Sequence, residues 1–266
     1  MSVRSTEYMS TPIITRFKLA AAAFVVGAAI TAAAPAFAAP VTFNFLTSGG
    51  NNLGNSYGNT RVYTSGALTL TVTSWSTTGN GGALQSSQTG WYNGYGLGVC
   101  NRNEGTGCGN PEHQLDNSNA RDFILFRLSA TVDPTTVSIN PYGSYDRDAT
   151  YFVGNSANAN LTNFVLTNLS LGLVGYDDFS SVSENARNVG ILGGLGNTLL
   201  FGVGAIDNNY NTPIDSSTDR FKIQSLTVDY TPGPQGNGDP VPVPATLTLF
   251  GAALLGLRVL AGRRKA

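Results

Sequence analysis

The sequence predicts an all-β protein, an antiparallel β-sandwich of jelly-roll type, with a cleavable N-terminal signal peptide and a C-terminal transmembrane helix. Short alternating apolar and polar stretches recur between residues 39 and 230, and glycines and prolines separate them. Strongly apolar segments stand at both ends of the chain. We therefore divide it into a signal peptide (1–38), a β domain (39–230), a Pro/Gly linker (231–240) and a C-terminal segment (241–266).

Residues 1–38 have the three parts of a secretory signal peptide. Arg16 and Lys18 form the positive region, residues 19–34 are apolar and rich in alanine, and Ala36-Phe37-Ala38 is a small-residue cleavage site. We expect export through the Sec machinery and cleavage by signal peptidase after Ala38. A short uncleaved membrane anchor is the alternative.

The β domain contains short segments with strand patterns. Phe123–Leu128 is apolar on both sides, which predicts a central strand, and the phase shift at Gln224-Ser225 predicts a β-bulge in the last strand. About eight to ten strands with turn residues between them favour a sandwich. The predicted strands are Val41–Phe45, Ala67–Trp75, Phe123–Leu128, Thr135–Asn140, Thr150–Val153, Asn163–Leu169, Thr198–Val203 and Phe221–Tyr230.

The charge of the central region excludes one class of partner. Residues 39–240 hold 8 basic and 15 acidic residues, a net charge of −7, and Lys222 is their single lysine. Such a surface is unsuited to binding nucleic acid through its phosphates. It suits divalent cations or neutral partners.

The last 26 residues combine a proline-containing motif, an apolar stretch and a basic end. A helix of about 18–20 residues, at ~1.5 Å each, spans a hydrocarbon core of ~30 Å. The terminal basic residues then stop transfer and stay in the cytoplasm. The motif is Val241-Pro242-Val243-Pro244-Ala245, and the basic end is Arg263-Arg264-Lys265.

This order resembles a PEP-CTERM sorting signal. The resemblance implies that the chain is a substrate of exosortase, a membrane protease-transpeptidase of Gram-negative bacteria that also make exopolysaccharide. Val243 stands where the commonest form has glutamate, and Arg258 interrupts the apolar run. A plain anchor that is never processed is the alternative. Residues 94–153 also resemble the body of some exosortase-dependent surface proteins, which implies a β-rich exported domain of undetermined biochemical activity and identifies no catalytic residues.

Cys100 and Cys108 are the only cysteines. In an oxidising compartment such a pair is expected to form a disulfide. A metal-binding pair is the weaker interpretation, because His113 is the only histidine and zinc prefers four N or S ligands.

The segment after the cysteines supports three interpretations. The first is structural, with side chains that fix the loop before Phe123. The second is catalysis, in which His113 and Asp116 orient Ser118 or Ser144. The third is a calcium site, since aspartate and asparagine supply hard oxygen ligands. The residues predicted to bind calcium are Asp116, Asn117, Asp122, Asp146 and Asp148.

These observations together predict a non-enzymatic protein with no cofactor other than this calcium. It would be an inner-membrane intermediate transiently, then a cell-surface or extracellular protein associated with exopolysaccharide in a biofilm matrix. Two alternatives remain open, a calcium-assisted carbohydrate-binding module and a secreted hydrolase. Sugar stacking would use exposed aromatic rings, for which the sequence offers Trp75, Trp91, Tyr92 and Tyr95.

Overall fold

The computed structural model describes residues 38–232 except 80, 106–107, 109–112, 142, 170, 180–181, 207–213 and 215. The regular structure of these described residues is 13 strands and one short 3-10 helix, Leu166–Asn168. The strands are β1 (Ala39–Asn44), β2 (Asn51–Leu53), β3 (Thr60–Ser65), β4 (Leu68–Thr77), β5 (Leu84–Tyr92), β6 (Gly96–Cys100), β7 (Leu115–Asp116), β8 (Asp122–Asn140), β9 (Ala149–Gly154), β10 (Gly172–Asp177), β11 (Arg187–Gly190), β12 (Gly196–Val203) and β13 (Arg220–Tyr230).

Five antiparallel strands pair in a closed ring, in the order β4, β5, β6, β13, β8 and back to β4. The other strands extend this barrel. β3 and β2 continue from β4, while β12, β9 and β10 continue from the first half of β8. β11 pairs with the second half of β8, and β1 and β7 pair with β13.

The long strand β8 joins two segments that the sequence predicts as separate strands. Its first half pairs with β4 and β12, and its second half pairs with β13 and β11. Pro134 between the two halves lies at a register shift opposite Val228, where a strand tolerates proline. The prediction of a central strand at Phe123–Leu128 is confirmed.

Two hydrophobic cores lie on opposite faces of β8. Ile124, Phe126 and Leu128 point into the larger core, whereas Phe123 and Leu125 point into the smaller one. This alternation is the period-two geometry of a strand, and it explains why the segment is apolar at every position.

The predicted bulge near the end of the domain is confirmed. The pairing of β13 with β8 shifts register between Ile223 and Ser225, which leaves Gln224 as the extra residue. The shift turns Phe221 and Ile223 inward on one side of it and Leu226 and Val228 inward on the other, all 0% exposed.

The predicted strand at Asn163–Leu169 is wrong. Asn163 has a φ of +69°, which interrupts extended backbone, and Leu166–Asn168 form the 3-10 helix. Leu161, Leu166 and Leu171 are each at most 5% exposed and belong to the smaller core. The apolar residues of this segment therefore cover the core from a loop rather than from a sheet.

The all-β class is confirmed. The observed pairings close a five-stranded barrel with added strands, and the finer assignment to a jelly-roll sandwich stays a prediction. Residues 1–37 and 233–266, which hold the predicted leader and C-terminal helix, lie outside the described residues. Among the described residues, no helix has the length and apolar character needed to cross a membrane.

Candidate functional site

Three buried aspartates meet where strands β9 and β13 begin. Asp146, Asp148 and Asp219 are 6%, 0% and 1% exposed. A carboxylate oxygen of each lies within 4.8 Å of the other two. We call these three residues the aspartate cluster.

Backbone N–H groups orient the carboxylates of the aspartate cluster. The amide of Asp148 donates to Oδ1 of Asp219 at 2.8 Å, and the amide of Arg147 donates to Oδ1 of Asp146 at 2.9 Å. The amide of Phe179 donates to Oδ1 of Asp148 at 2.6 Å. An isolated parallel bridge joins Asp146 to Asp219, so the two strand starts hold the cluster in place.

Asn117 contacts the aspartate cluster through Asp219. Its Nδ2 donates to Oδ2 of Asp219 at 2.7 Å, and its Oδ1 accepts from the amide of Asp219 at 3.0 Å. Three of the predicted calcium ligands, Asn117, Asp146 and Asp148, are therefore brought together. Converging carboxylate oxygens are ligands that calcium and magnesium prefer.

The other two predicted calcium ligands form a separate pair. The amide of Asp116 donates to Oδ2 of Asp122 at 3.2 Å, and Nδ2 of Asn101 donates to Oδ1 of Asp122 at 3.2 Å. Asp122 is 0% exposed and Asp116 is 7% exposed. The five predicted ligands thus divide between two places in the fold.

Asp116 borders a polar cleft of about 340 Å³. On one side, Nδ1 of His113 lies 3.7 Å from Oε2 of Glu104. On the other, the Arg220 guanidinium donates to Oγ of Ser118 at 3.2 Å. The residues that line the polar cleft are Asn101, Asn103, Glu104, His113, Asp116, Ser118, Asn119 and Arg220.

Burial is the main cause that perturbs the two carboxyl groups beside the polar cleft. It raises the pKa of Asp116 to about 6, although a hydrogen bond from the Ser118 amide opposes the increase. It raises the pKa of Asp122 well above its usual range, and the charges of Asp116 and Glu104 add to that effect. Burial therefore favours the protonated, uncharged form of both carboxyl groups.

The raised pKa of Asp116 predicts a pH-dependent stability. A folded-state pKa above the unfolded value contributes stability that is complete below about pH 4 and is lost as the pH rises through about 6. Asp116→Asn keeps an acceptor for the Ser118 amide but cannot ionise. We expect this variant to gain up to roughly 3 kcal/mol relative to wild type between about pH 4 and pH 8.

Urea denaturation of both proteins across that pH range measures this difference. An Asp116→Asn curve that runs parallel to that of wild type would contradict a raised pKa.

The predicted disulfide between Cys100 and Cys108 is confirmed. Their Cα atoms are 5.7 Å apart, and the bond closes a loop of short sequence separation at the end of strand β6. Short loops gain about 2–3 kcal/mol from such a bond. The disulfide also fixes the start of the segment that carries Glu104.

The hydrolase interpretation requires His113 to contact a serine nucleophile. Among the described residues, no hydrogen bond joins His113 to Ser118 or Ser144, and the ring of His113 faces Glu104 instead. Ser118 already accepts from Arg220.

The aromatic rings proposed for sugar stacking do not form one surface. Trp75 and Tyr92 are 4% and 6% exposed. Trp91 packs against the larger core and donates from Nε1 to the carbonyl of Phe45 at 2.7 Å. Tyr95 is the most exposed of the four, at 40%. Three of these rings therefore serve packing.

Asp219 and Glu104 are site residues that the sequence reasoning missed. Asp219 directly precedes strand β13, as Asp148 directly precedes β9. An aspartate two residues before each of two predicted strands, Thr150–Val153 and Phe221–Tyr230, was the available signal. Glu104 stands inside the cysteine loop, where nothing distinguishes it from a solvated side chain.

A scan against protein-family models found no match, and a search of curated proteins gave none either. The predicted sorting motif Val241–Ala245 and the stop-transfer residues Arg263–Lys265 lie outside the described residues.

Proposed function

We propose that this chain is an exported, non-enzymatic surface or extracellular-matrix protein that exosortase processes at residues 241–245 and that associates with exopolysaccharide. The observation that carries this proposal is the match between strand boundaries and targeting segments. The first strand begins at Ala39, the residue after the predicted cleavage site, and the last ends at Tyr230, just before the predicted linker. Cleavage at both sites leaves every described strand intact.

The pairing of the first and last described strands in the sequence, β1 and β13, supports the same boundaries. Ala39 lies opposite Tyr230 in the antiparallel pair of β1 and β13. Both predicted junctions therefore adjoin the hydrogen-bonded edge of the domain, and neither requires a strand to be cut.

The disulfide supports a destination outside the cytoplasm. Disulfides form and persist in oxidising compartments and are rare where thiols are kept reduced. The bond between Cys100 and Cys108 is accordingly compatible with passage through the Sec machinery and transient retention in the inner membrane, followed by release to the surface or medium.

The proposed role of the C-terminal residues is mechanical. Prolines at 242 and 244 keep the cleavage segment extended and accessible. The apolar helix holds that segment at the membrane, and the basic residues at 263–265 stop transfer.

Intact mass spectrometry of the protein from cells and medium tests this proposal. We expect loss of residues 1–38 and of the segment that follows the motif at 241–245. A mature protein that keeps its Lys265-Ala266 end would refute exosortase processing and leave a plain anchored protein.

The motif itself can be tested with a matched pair of proline variants. Pro242→Ala combined with Pro244→Ala is expected to make the unprocessed form predominate in the membrane fraction, because the extended segment is lost. Pro234→Ala in the linker is expected to be processed like wild type. Immunoblotting of the membrane fraction and the medium measures processing of each variant. Equal processing of the two variants would argue against recognition of the motif.

A calcium-assisted carbohydrate-binding module is the second candidate, and the aspartate cluster favours it. Three buried carboxylates within 4.8 Å of one another repel, and a divalent cation would stabilise them. The amides, carboxylates and guanidinium of the polar cleft offer donors and acceptors to sugar hydroxyl groups.

Calorimetric titration with calcium, and then with the host exopolysaccharide in calcium or in EDTA, tests this candidate. Asp148→Asn is expected to weaken calcium binding at least about tenfold, whereas Asp229→Asn on strand β13 is expected to leave it unchanged. Absence of calcium binding to the wild-type protein would eliminate the candidate.

A further inference from the structure

The cysteine loop brings together a second set of ligand atoms, distinct from the aspartate cluster. A sulfur of Cys100, a ring nitrogen of His113 and a carboxylate oxygen of Glu104 lie within 4.8 Å of one another. Cys108 is bonded to Cys100, so a second sulfur adjoins the same point. One sulfur, one nitrogen and one oxygen therefore lie close together, with a second sulfur bonded to the first, and Glu104 and His113 of this set line the polar cleft.

Four such atoms are a suitable set for zinc. Tetrahedral Zn²⁺ with bond lengths of about 2.0–2.3 Å places its ligand atoms about 3.3–3.8 Å apart. Nδ1 of His113 and Oε2 of Glu104 are already 3.7 Å apart. Zinc binds cysteine thiolates and not a disulfide, so the oxidised loop lacks two of the four ligands.

We propose that reduction of the Cys100–Cys108 disulfide converts this loop into a site for one Zn²⁺, bound by both thiolates, His113 and Glu104. The proposal goes beyond the proposed function and does not depend on it. Oxidation and zinc binding then exclude each other at the same two sulfurs.

The reaction that opens the site balances with a thiol or phosphine reductant. A dithiol supplies two electrons and two protons, the Sγ–Sγ bond breaks, and the dithiol becomes its own disulfide. Zinc then binds the two thiols as thiolates, and both thiol protons leave to solvent.

The surroundings of the loop favour a cation. The amide of Asn101 donates to Oε2 of Glu104 at 2.8 Å, which orients the carboxylate as an outer-shell partner does in metal sites. The side chains of His113 and Glu104 are 20% and 25% exposed, so an ion can reach them through the polar cleft. The Asp116 carboxyl group borders the same cleft.

Cobalt and zinc titrations of the full-length chain in detergent test the proposal. The reductant is a water-soluble phosphine, which water converts to the phosphine oxide as the disulfide is reduced. We expect the reduced chain to bind one equivalent of Zn²⁺, and Co²⁺ to give the thiolate charge-transfer and visible bands of a tetrahedral site. The oxidised chain is expected to give neither signal.

Single-residue variants distinguish a built site from thiols that bind metal on their own. His113→Ala and Glu104→Gln are each expected to weaken zinc binding at least about tenfold, a loss that even outer-shell changes can cause. Glu184→Gln, an exposed glutamate elsewhere, is the matched control and is expected to bind like wild type. Thermal unfolding of the oxidised variants checks that each remains folded.

Two results would overturn the proposal. One is a reduced chain that binds no zinc at micromolar concentration. The other is zinc binding that is unchanged in both His113→Ala and Glu104→Gln. Neither result bears on processing by exosortase, so the two proposals succeed or fail separately.

Discussion

Replacing Gly96 with alanine is expected to lower the free energy of unfolding by more than about 3 kcal/mol. Gly96 has a φ of +103°, and a Cβ there would collide with the backbone carbonyl oxygen of Ile223. The neighbouring pair, Leu97 opposite Ile223, is the contact that joins β6 to β13 and closes the barrel. The added methyl group therefore opposes pairing of β6 with β13, because moving the two backbones apart would disrupt the hydrogen bonds of the barrel.

Gly94→Ala is the matched control for this prediction. Gly94 also has a positive φ, +78°, but a Cβ there meets no atom within 4 Å. Its replacement is expected to cost about 1 kcal/mol from backbone strain alone. Urea denaturation and thermal unfolding measure both variants, and Gly96→Ala is expected to lower Tm by roughly 6–12 °C. Similar losses in the two variants would show that the close approach of β6 to β13 does not limit stability.

Replacing Phe126 with alanine is expected to destabilise the protein by about 3–5 kcal/mol. Phe126 is 0% exposed in the larger core, and its ring stacks on that of Phe45 with centroids 6.0 Å apart and planes at 7°. It lies on the first half of β8, where strands on both sides hold the backbone. The site cannot collapse around the missing ring, so a cavity remains.

Phe126→Leu separates the cavity from the loss of aromatic contact. We expect it to cost about 1–2 kcal/mol, because leucine fills much of the space. Leu192→Ala, at a position 73% exposed, is expected to change stability by less than about 0.5 kcal/mol. Denaturation midpoints for the three variants should follow that order, and an equal loss at Leu192 and Phe126 would contradict the assignment of the larger core.

Strands with apolar alternation could be predicted from the sequence, while strands with polar interiors could not. β4, β8 and β13 contain stretches with alternating burial or continuous apolar runs, and both patterns are visible locally. β5 was not predicted because its inward residues include hydroxyl side chains. Ser87 donates to Ser76 at 2.9 Å, and Ser74 bonds to Thr89 at 2.8 Å. Partners on a neighbouring strand satisfy these hydroxyl groups, and one segment alone cannot reveal them.

Strand β6 was missed for a different reason. Its sequence, Gly96-Leu-Gly-Val-Cys100, resembles a flexible turn when it is considered alone. The glycines are required because other backbone approaches closely, and a Cβ on Gly98 would collide with the carbonyl of His113. Close approach of distant segments is a tertiary property, so composition predicts a loop where the fold forms a strand.

The candidate site was predicted in part because one of its elements is local. Asp146 and Asp148 are two residues apart, which places their side chains on one side of an extended chain. Asp219 joins them from a distant part of the sequence through the strand order of the sheet. That order depends on which strands pair, and no single segment specifies it.

The position of β13 also governs when the molecule can assemble. This last strand pairs with β1, β6, β7 and β8, so the ring stays open until residues 220–230 have been delivered. A nascent chain that emerges from its N-terminus first must keep the edges of β1, β6, β7 and the second half of β8 that pair with β13 unpaired during that time. Pairings between distant parts of a sequence are slow to form, and a chaperone that protects the open ring is therefore expected to raise the yield of native protein.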